Sequence, residues 1–125
     1  YPPLLEAEGL EAALSSARRT IAIPVDITAE RIGRYDRFVE ESVYFCVLGV
    51  IAEAVDAGAT RVTITLHGGT DAVRFCVDAD SAVGRLVAVE DRIDALDGLL
   101  TVTSEPAGIT IRGELPARAR TLESA

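Results

Sequence analysis

Hydrophobic and polar positions repeat along the chain with two different periods, and the switches between them mark the elements. In GLEAALSSARR, residues 9–19, Leu10, Ala13, Leu14 and Ala17 recur at helical spacing. Leu4, Leu5, Leu10 and Leu14 are expected in the core or at an interdomain contact. IAIPVDI, residues 21–27, reads as an extended strand, with Pro24 pointing to an edge or a bulge. TAERIGRYD is a polar connector or one short turn. The longest helix is expected over residues 38–57, with EES near its start suiting the positive end of the helix dipole. Its stripe Phe45, Leu48, Ala52 and Val55 is expected to face the sheet, and DAGAT closes it through Gly58.

The period then changes to two. RVTITL alternates cleanly, HGGTD with His67 reads as a hairpin turn, and AVRFCV returns. After a break at DADSAVG, RLVAVEDRIDALDG is a helix that starts directly behind Gly84 and closes on Gly98. LLTVTSE and GITIRGEL form a second hairpin around PAG. The order α, β, α, β, β, α, β, β implies a two-layer α/β sandwich. Its mixed, mostly antiparallel sheet of about five strands carries three helices on one face. One domain is expected over residues 1–116, with a polar tail over 117–125.

Composition narrows the function classes. The 125 residues suit one domain, and 49% are hydrophobic, enough for a core. Net charge is −8, and basic residues come at most in pairs such as Arg18-Arg19, so nucleic acid is not an expected partner. The longest apolar run, residues 43–52, falls well short of the ~20 residues that span a bilayer. No signal-peptide pattern is present. The chain opens mid-domain at Tyr1-Pro2-Pro3 and is expected to be a piece of something longer. Cys46 and Cys76 read as buried reduced thiols, and with one His they do not make a metal set.

Several local sequences, in this order and spacing, resemble the ATP-binding domain of sensor histidine kinases. This is the GHKL ATPase fold, in the branch paired with LuxR/NarL-type response regulators. YPPLLEAEGLEAAL is similar to the segment entering that domain, and GRY…VYFCVL to the start of its nucleotide helix. AGATRVTITL is similar to the strand that follows. EDRIDALDGLLTVTSEPAGITIRGELP is similar to its last helix and closing hairpin.

The resemblance implies four places where the chemistry would sit. A Glu and an Asn four residues apart on the nucleotide helix would handle water and Mg²⁺. An Asp at the end of the middle strand would accept the adenine amino group, with two glycines behind it. A mobile lid and a glycine-opened helix would cradle phosphates. A Gly-rich turn before the last strand would let the backbone approach the nucleotide.

Carried over position by position, Gly49 stands at the Glu position and Glu53 at the Asn position, with Asp56 in place of a basic residue. Ala79 takes the adenine-binding Asp position, with Asp78 or Asp80 as substitutes if the strand end shifts. Ser81 and Val83 take the two glycine positions. Gly84 runs straight into the next helix, where Arg85 and Ala88 replace glycines. Gly108 and Thr110 fit the closing turn, but Ala107 and Ile109 stand where glycine is common.

The expected remnant cleft therefore comprises Glu53, Asp56, Asp78, Asp80, Gly84, Gly108 and Thr110, with Glu53 the one candidate metal ligand and no catalytic residue assigned. ATP and Mg²⁺ are the implied cofactors if binding is retained. The implied partners are dimerisation, phosphoacceptor and sensor segments of the same polypeptide and a response regulator. The implied location is cytoplasmic, without direct membrane contact. Joint loss at four places leads to the expectation of a pseudokinase with weak or absent ATP binding and a structural or regulatory role. The alternatives are an active kinase using Glu53, Asp56 and Asp80, or an interaction module on the same fold.

Overall fold

A computed structural model describes residues 3–118. The elements are α1 (Pro3–Glu8), α2 (Leu10–Ala17), a 3-10 turn (Arg18–Thr20), β1 (Val25–Glu30), α3 (Arg37–Asp56), β2 (Val62–Gly68), β3 (Ala72–Ala79), α4 (Val87–Ala95), β4 (Leu99–Glu105) and β5 (Gly108–Pro116). One sheet runs in the order β1-β2-β3-β5-β4. β1 and β2 are parallel, joined by the α3 crossover, and all other pairs are antiparallel. The expected mixed sheet with helices on one face is the observed architecture, with α1 as an additional short helix.

Period-two alternation builds the two layers. Val62, Ile64 and Leu66 of β2, Val73, Phe75 and Val77 of β3, and Ile109, Ile111 and Leu115 of β5 point inward and are buried. Each such side chain, fully buried, contributes about 2 kcal/mol. The alternate positions, among them Thr63, Arg74, Asp78 and Arg112, lie on the helix-free face. Among the described residues no helix is long and apolar enough to cross a membrane.

The first strand begins and ends later than its apolar run suggests. Pro24 has no N–H to give a ladder, so pairing starts just after it: its carbonyl accepts Val62 N–H at 3.1 Å, and Val25 opposes Val62. Thr28, Ala29 and Glu30 belong to the strand because β2 extends alongside them. β1 is an edge strand, as Pro24 implied. His67 lies within β2 rather than in the turn, with Nδ1 3.4 Å from Glu30 Oε2. The turn closes one step later, where Gly69 N–H donates to Ala72 O.

α3 is capped by Asp36, whose carboxylate accepts Phe38 N–H at 2.9 Å. Glu40 in its first turn is not a solvated dipole partner. It is 1% exposed and accepts from Arg34 Nε at 2.9 Å and from Tyr35 N–H at 3.1 Å. Arg34 also donates to Glu6 O at 2.8 Å, tying the end of α1 to the start of α3.

The buried side of α3 is Val43, Cys46, Val47, Val50, Ile51 and Ala54. Of the expected stripe, Phe45, Leu48 and Val55 are only partly buried and Ala52 is exposed. The helix packs against β3, α2 and α4 at once, so it is apolar around most of its girth and its periodicity does not single out a face.

α4 starts at Val87, two residues later than expected, and its end is shaped by Asp97. Asp97 takes the left-handed conformation (φ 56°), and Gly98 N–H reaches back to Ile93 O at 2.8 Å. Cys46 is buried, but Cys76 is not: it sits half-buried on the helix-free face, because its strand position has the outward parity. Ala117 N–H donates to Asp71 O, so the chain stays attached one residue past β5. The expected polar tail lies outside the described residues from position 119 on.

Candidate functional site

The candidate site is the α3 face that carries Phe45, Gly49 and Glu53, spaced four residues apart and therefore stacked along the helix. α4 lies directly on this face. A Cβ at Gly49 would stand 3.3 Å from Val89 Cγ2, inside normal carbon–carbon contact. One turn earlier, Cys46 Sγ is 3.9 Å from Val89 O, and the Arg92 guanidinium sits 5.0 Å from the centre of the Phe45 ring. Gly49 thus supplies the close approach between two helices. Burial pushes the Cys46 thiol up to about 11, with Arg92 opposing the shift.

One turn later the connection from β3 to α4 runs along the same helix. Ser81 Oγ donates to Ala54 O at 3.2 Å, with Ala82 O also in reach at 2.7 Å. Gly84 abuts the Glu53 carboxylate, so closely that a Cβ there would lie 2.8 Å from Oε1. Glu53 is partly exposed. Asp56, one turn on, is exposed near the helix end.

The other predicted residues lie elsewhere. Asp80 follows β3 and staples the turn before β2: its carboxylate accepts from Thr60 N–H at 2.7 Å, from Arg61 N–H at 3.2 Å and from the Thr60 hydroxyl. The Thr60 hydroxyl, then the Thr60 N–H, hold the Asp80 carboxyl below the usual range. Asp78 and Thr110 meet on the helix-free face, where the Thr110 hydroxyl donates to the Asp78 carboxylate. Ala79 is the neighbour that points inward, and it is buried. Gly108 opens β5 against the Ala79 carbonyl.

Glu53, Asp56 and Gly84 are therefore on the helix side, Asp78 and Thr110 on the opposite face, and Asp80 and Gly108 at the strand ends. Sequence reasoning missed Val89 and Ser81 as the groups that touch the α3 face. An apolar residue near the start of a helix is the only signal Val89 offers, and Ser81 looked like a turn-former.

Several open spaces border these elements. One of about 300 Å³ lies between the 83–87 segment, Glu90 and the Val102–Ser104 stretch of β4. A second of about 240 Å³ lies at the strand ends beside Asp78, Asp80 and Gly108. A third of about 520 Å³ lies on the helix-free face among His67, Arg74, Cys76, Thr101 and Arg112. Among the described residues no group of three or more His, Cys, Asp or Glu side chains is arranged to hold a metal ion.

No protein-family model matches the chain, and no curated protein is similar to it at a significant level. Solved structures do resemble it. The mycobacterial sensor histidine kinase MprB superposes with a TM-score of 0.64 at 18% identity, covering 92% of this chain and 97% of that one. The catalytic domain of histidine kinase ThkA gives 0.62 at 12% identity, covering 89% and 90%. The ATP-binding domain of PrrB from Mycobacterium tuberculosis gives 0.60 at 19% identity, covering 90% and 91%. The chain has the fold of the ATP-binding catalytic domains of histidine kinases.

Proposed function

We propose that this chain is the ATPase-like domain of a two-component sensor histidine kinase in which nucleotide binding is weak or lost and the remaining role is structural or regulatory. The observation that carries this reading is the covering of the α3 face. Val89 stands against Gly49, and Gly84 stands against Glu53. A nucleotide with its metal would need that face free and lined with donors. The donor set is also a poor fit to Mg²⁺ and triphosphate: Glu53 and Asp56 are two carboxylates one turn apart, and among the described residues no third His, Cys, Asp or Glu side chain joins them. The phosphate-cradling glycines are replaced by Arg85 and Ala88.

The competing reading is an active domain with Glu53 and Asp56 on the metal and Asp80 on the base. It requires Asp80 to give up Thr60 and Arg61, the groups that hold it. In the favoured reading the domain is a pseudokinase of the LuxR/NarL-regulator-associated branch. It works in the cytoplasm beside the dimerisation, phosphoacceptor and sensor segments of its own polypeptide and a response regulator. Calorimetric titration with ATP and ADP in the presence of Mg²⁺ tests it. The expected result is no binding heat. A dissociation constant below about 100 μM, roughly 5.5 kcal/mol of affinity, overturns it.

A further inference from the structure

β4 is a sheet edge with no strand on its outer side among the described residues. It pairs only with β5, in an unbroken register from Leu99 opposite Glu114 to Glu105 opposite Gly108. Exposed edges are ordinarily blunted by proline, basic side chains, inward charges or a bulge. The other edge, β1, has Pro24 at its entry and exposed Asp26 and Glu30 along it. β4, LLTVTSE, has no proline, no basic residue and no bulge, and its one charge is at its last position. Four large hydrophobic side chains are exposed among the described residues, and two of them, Leu99 (68%) and Val102 (48%), are on this strand. A third, Val87, lines the same space as Val102 beside the edge.

The hairpin fixes which backbone groups are free. Glu105 and Gly108 close a two-residue turn and so form a hydrogen-bonded pair. Antiparallel alternation then directs the N–H and C=O groups of Thr103, Thr101 and Leu99 toward β5. Those of Ser104, Val102 and Leu100 point away from the sheet. An outward row of alternating donors and acceptors is complemented by another extended strand.

We propose that the β4 edge is a self-association surface whose partner is the β4 edge of a second copy of this chain, paired antiparallel about a two-fold axis at Val102. The sequence is self-complementary in that register. Val102 opposes Val102, and Leu100 opposes Ser104, each pair exchanging the outward backbone bonds. Thr101 opposes Thr103, a cross-strand pair that both strands accept. Glu105 opposes Leu99, so the two carboxylates are kept apart. The axis runs normal to the sheet, which places both helix layers on one side and brings the Val87–Val102 apolar patches of the two copies together. The interface is isologous, as a closed dimer requires.

Sedimentation equilibrium of the chain, with reductant to keep Cys46 and Cys76 as thiols, tests this. The expected result is a mass that rises with concentration toward twice the 13.2 kDa of one chain. Val102→Glu and Val102→Lys, each placing like charges opposite one another, are expected to sediment as monomers with unchanged circular dichroism. An equimolar mixture of the two is expected to recover the doubled mass. Hydrogen exchange at the Leu100, Val102 and Ser104 amides of the unmodified chain should slow as concentration rises, which reads the edge without any substitution. A wild-type mass that stays at one chain at the highest soluble concentration overturns the proposal. So does persistence of the dimer in both single variants, or a mixture that remains monomeric while both variants are folded.

Discussion

Replacing Gly49 with alanine places a methyl group 3.3 Å from Val89 Cγ2. Two effects of opposite sign then compete. Alanine in a helix interior is favoured over glycine by about 1 kcal/mol, because the unfolded chain loses freedom. The new contact is a few tenths of an ångström short of the carbon–carbon optimum. Valine is stiff about χ1, so Val89 cannot swing aside and α4 itself must yield. Overpacking of this kind costs about 1 kcal/mol at the mild end of its range. Gly49→Ala is therefore expected to be close to neutral.

The two effects are separated by removing the obstacle. Val89→Ala costs about 2 kcal/mol for its lost buried methyl groups. In that background the clash is gone, and Gly49→Ala should stabilise by about 1 kcal/mol, roughly 4 °C in melting temperature for a domain of this size. A double-mutant cycle by urea unfolding thus expects a coupling of about 1 kcal/mol between positions 49 and 89. If Gly49→Ala stabilises equally in both backgrounds, α4 does not press on α3 at Gly49, and the covering of that face loses its main support.

Three further outcomes follow from named contacts. Glu40→Ala removes the carboxylate that accepts from Arg34 Nε and Tyr35 N–H, and breaking this pair is expected to cost about 3 kcal/mol in denaturant unfolding, the low end for buried pairs because Arg34 is one-third exposed. Asp80 has a folded carboxyl held below its unfolded value, so its contribution is present above the unfolded pKa and is lost as pH falls through the folded one. Asp80→Asn should lower stability at neutral pH and flatten its loss on the acid side, seen in melting temperatures across that range. The pair Gly49→Glu with Glu53→Asn introduces the two side chains that the resemblance implies at these positions. On the proposed reading it should still give no heat with Mg²⁺-ATP, because Val89 and Gly84 occupy the space in front of them.

Much of the architecture is legible in the chain because both periods are clean where one face is buried and the other is wet. β2, β3 and β5 alternate as a half-buried sheet demands, with Cys76 an apolar exception at an outward position of β3. Boundaries were misplaced where a partner decides them. Thr28–Glu30 are strand because β2 runs beside them, and His67 is strand because Glu30 does. The core face of α3 was misread because a helix walled in on several sides has no polar stripe to mark its orientation. Glu40 looked solvated because nothing in EES announces that Arg34, six residues earlier, folds over it. The candidate positions can be named from the sequence, but their placement on separate faces cannot. Asp78 and Asp80 flank Ala79, and strand parity sends a side chain next to an inward one outward, a rule available from sequence once the register of β3 is fixed.

The features around α3 depend on one another in a way that single substitutions conceal. The connection from Asp80 to Leu86 is short, so α4 must begin close to where β3 ends. That closeness brings Val89 over α3, and only a glycine at position 49 admits it without displacing the helix. The same connection passes over Glu53, where a Cβ at position 84 would lie 2.8 Å from Oε1, so a larger residue there would turn the carboxylate aside. Ser81 then fastens the segment to the Ala54 carbonyl. A longer connection would have room to arch away, and a larger residue at 49 would hold the helices apart. Gly49, Gly84, Ser81 and the short connection therefore form one consistent packing solution, with Glu53 left partly exposed beside it. A change at one member is therefore felt by the others: a larger residue at 49 presses on Val89, and a longer 80–86 connection would release both Val89 and Ser81 from α3.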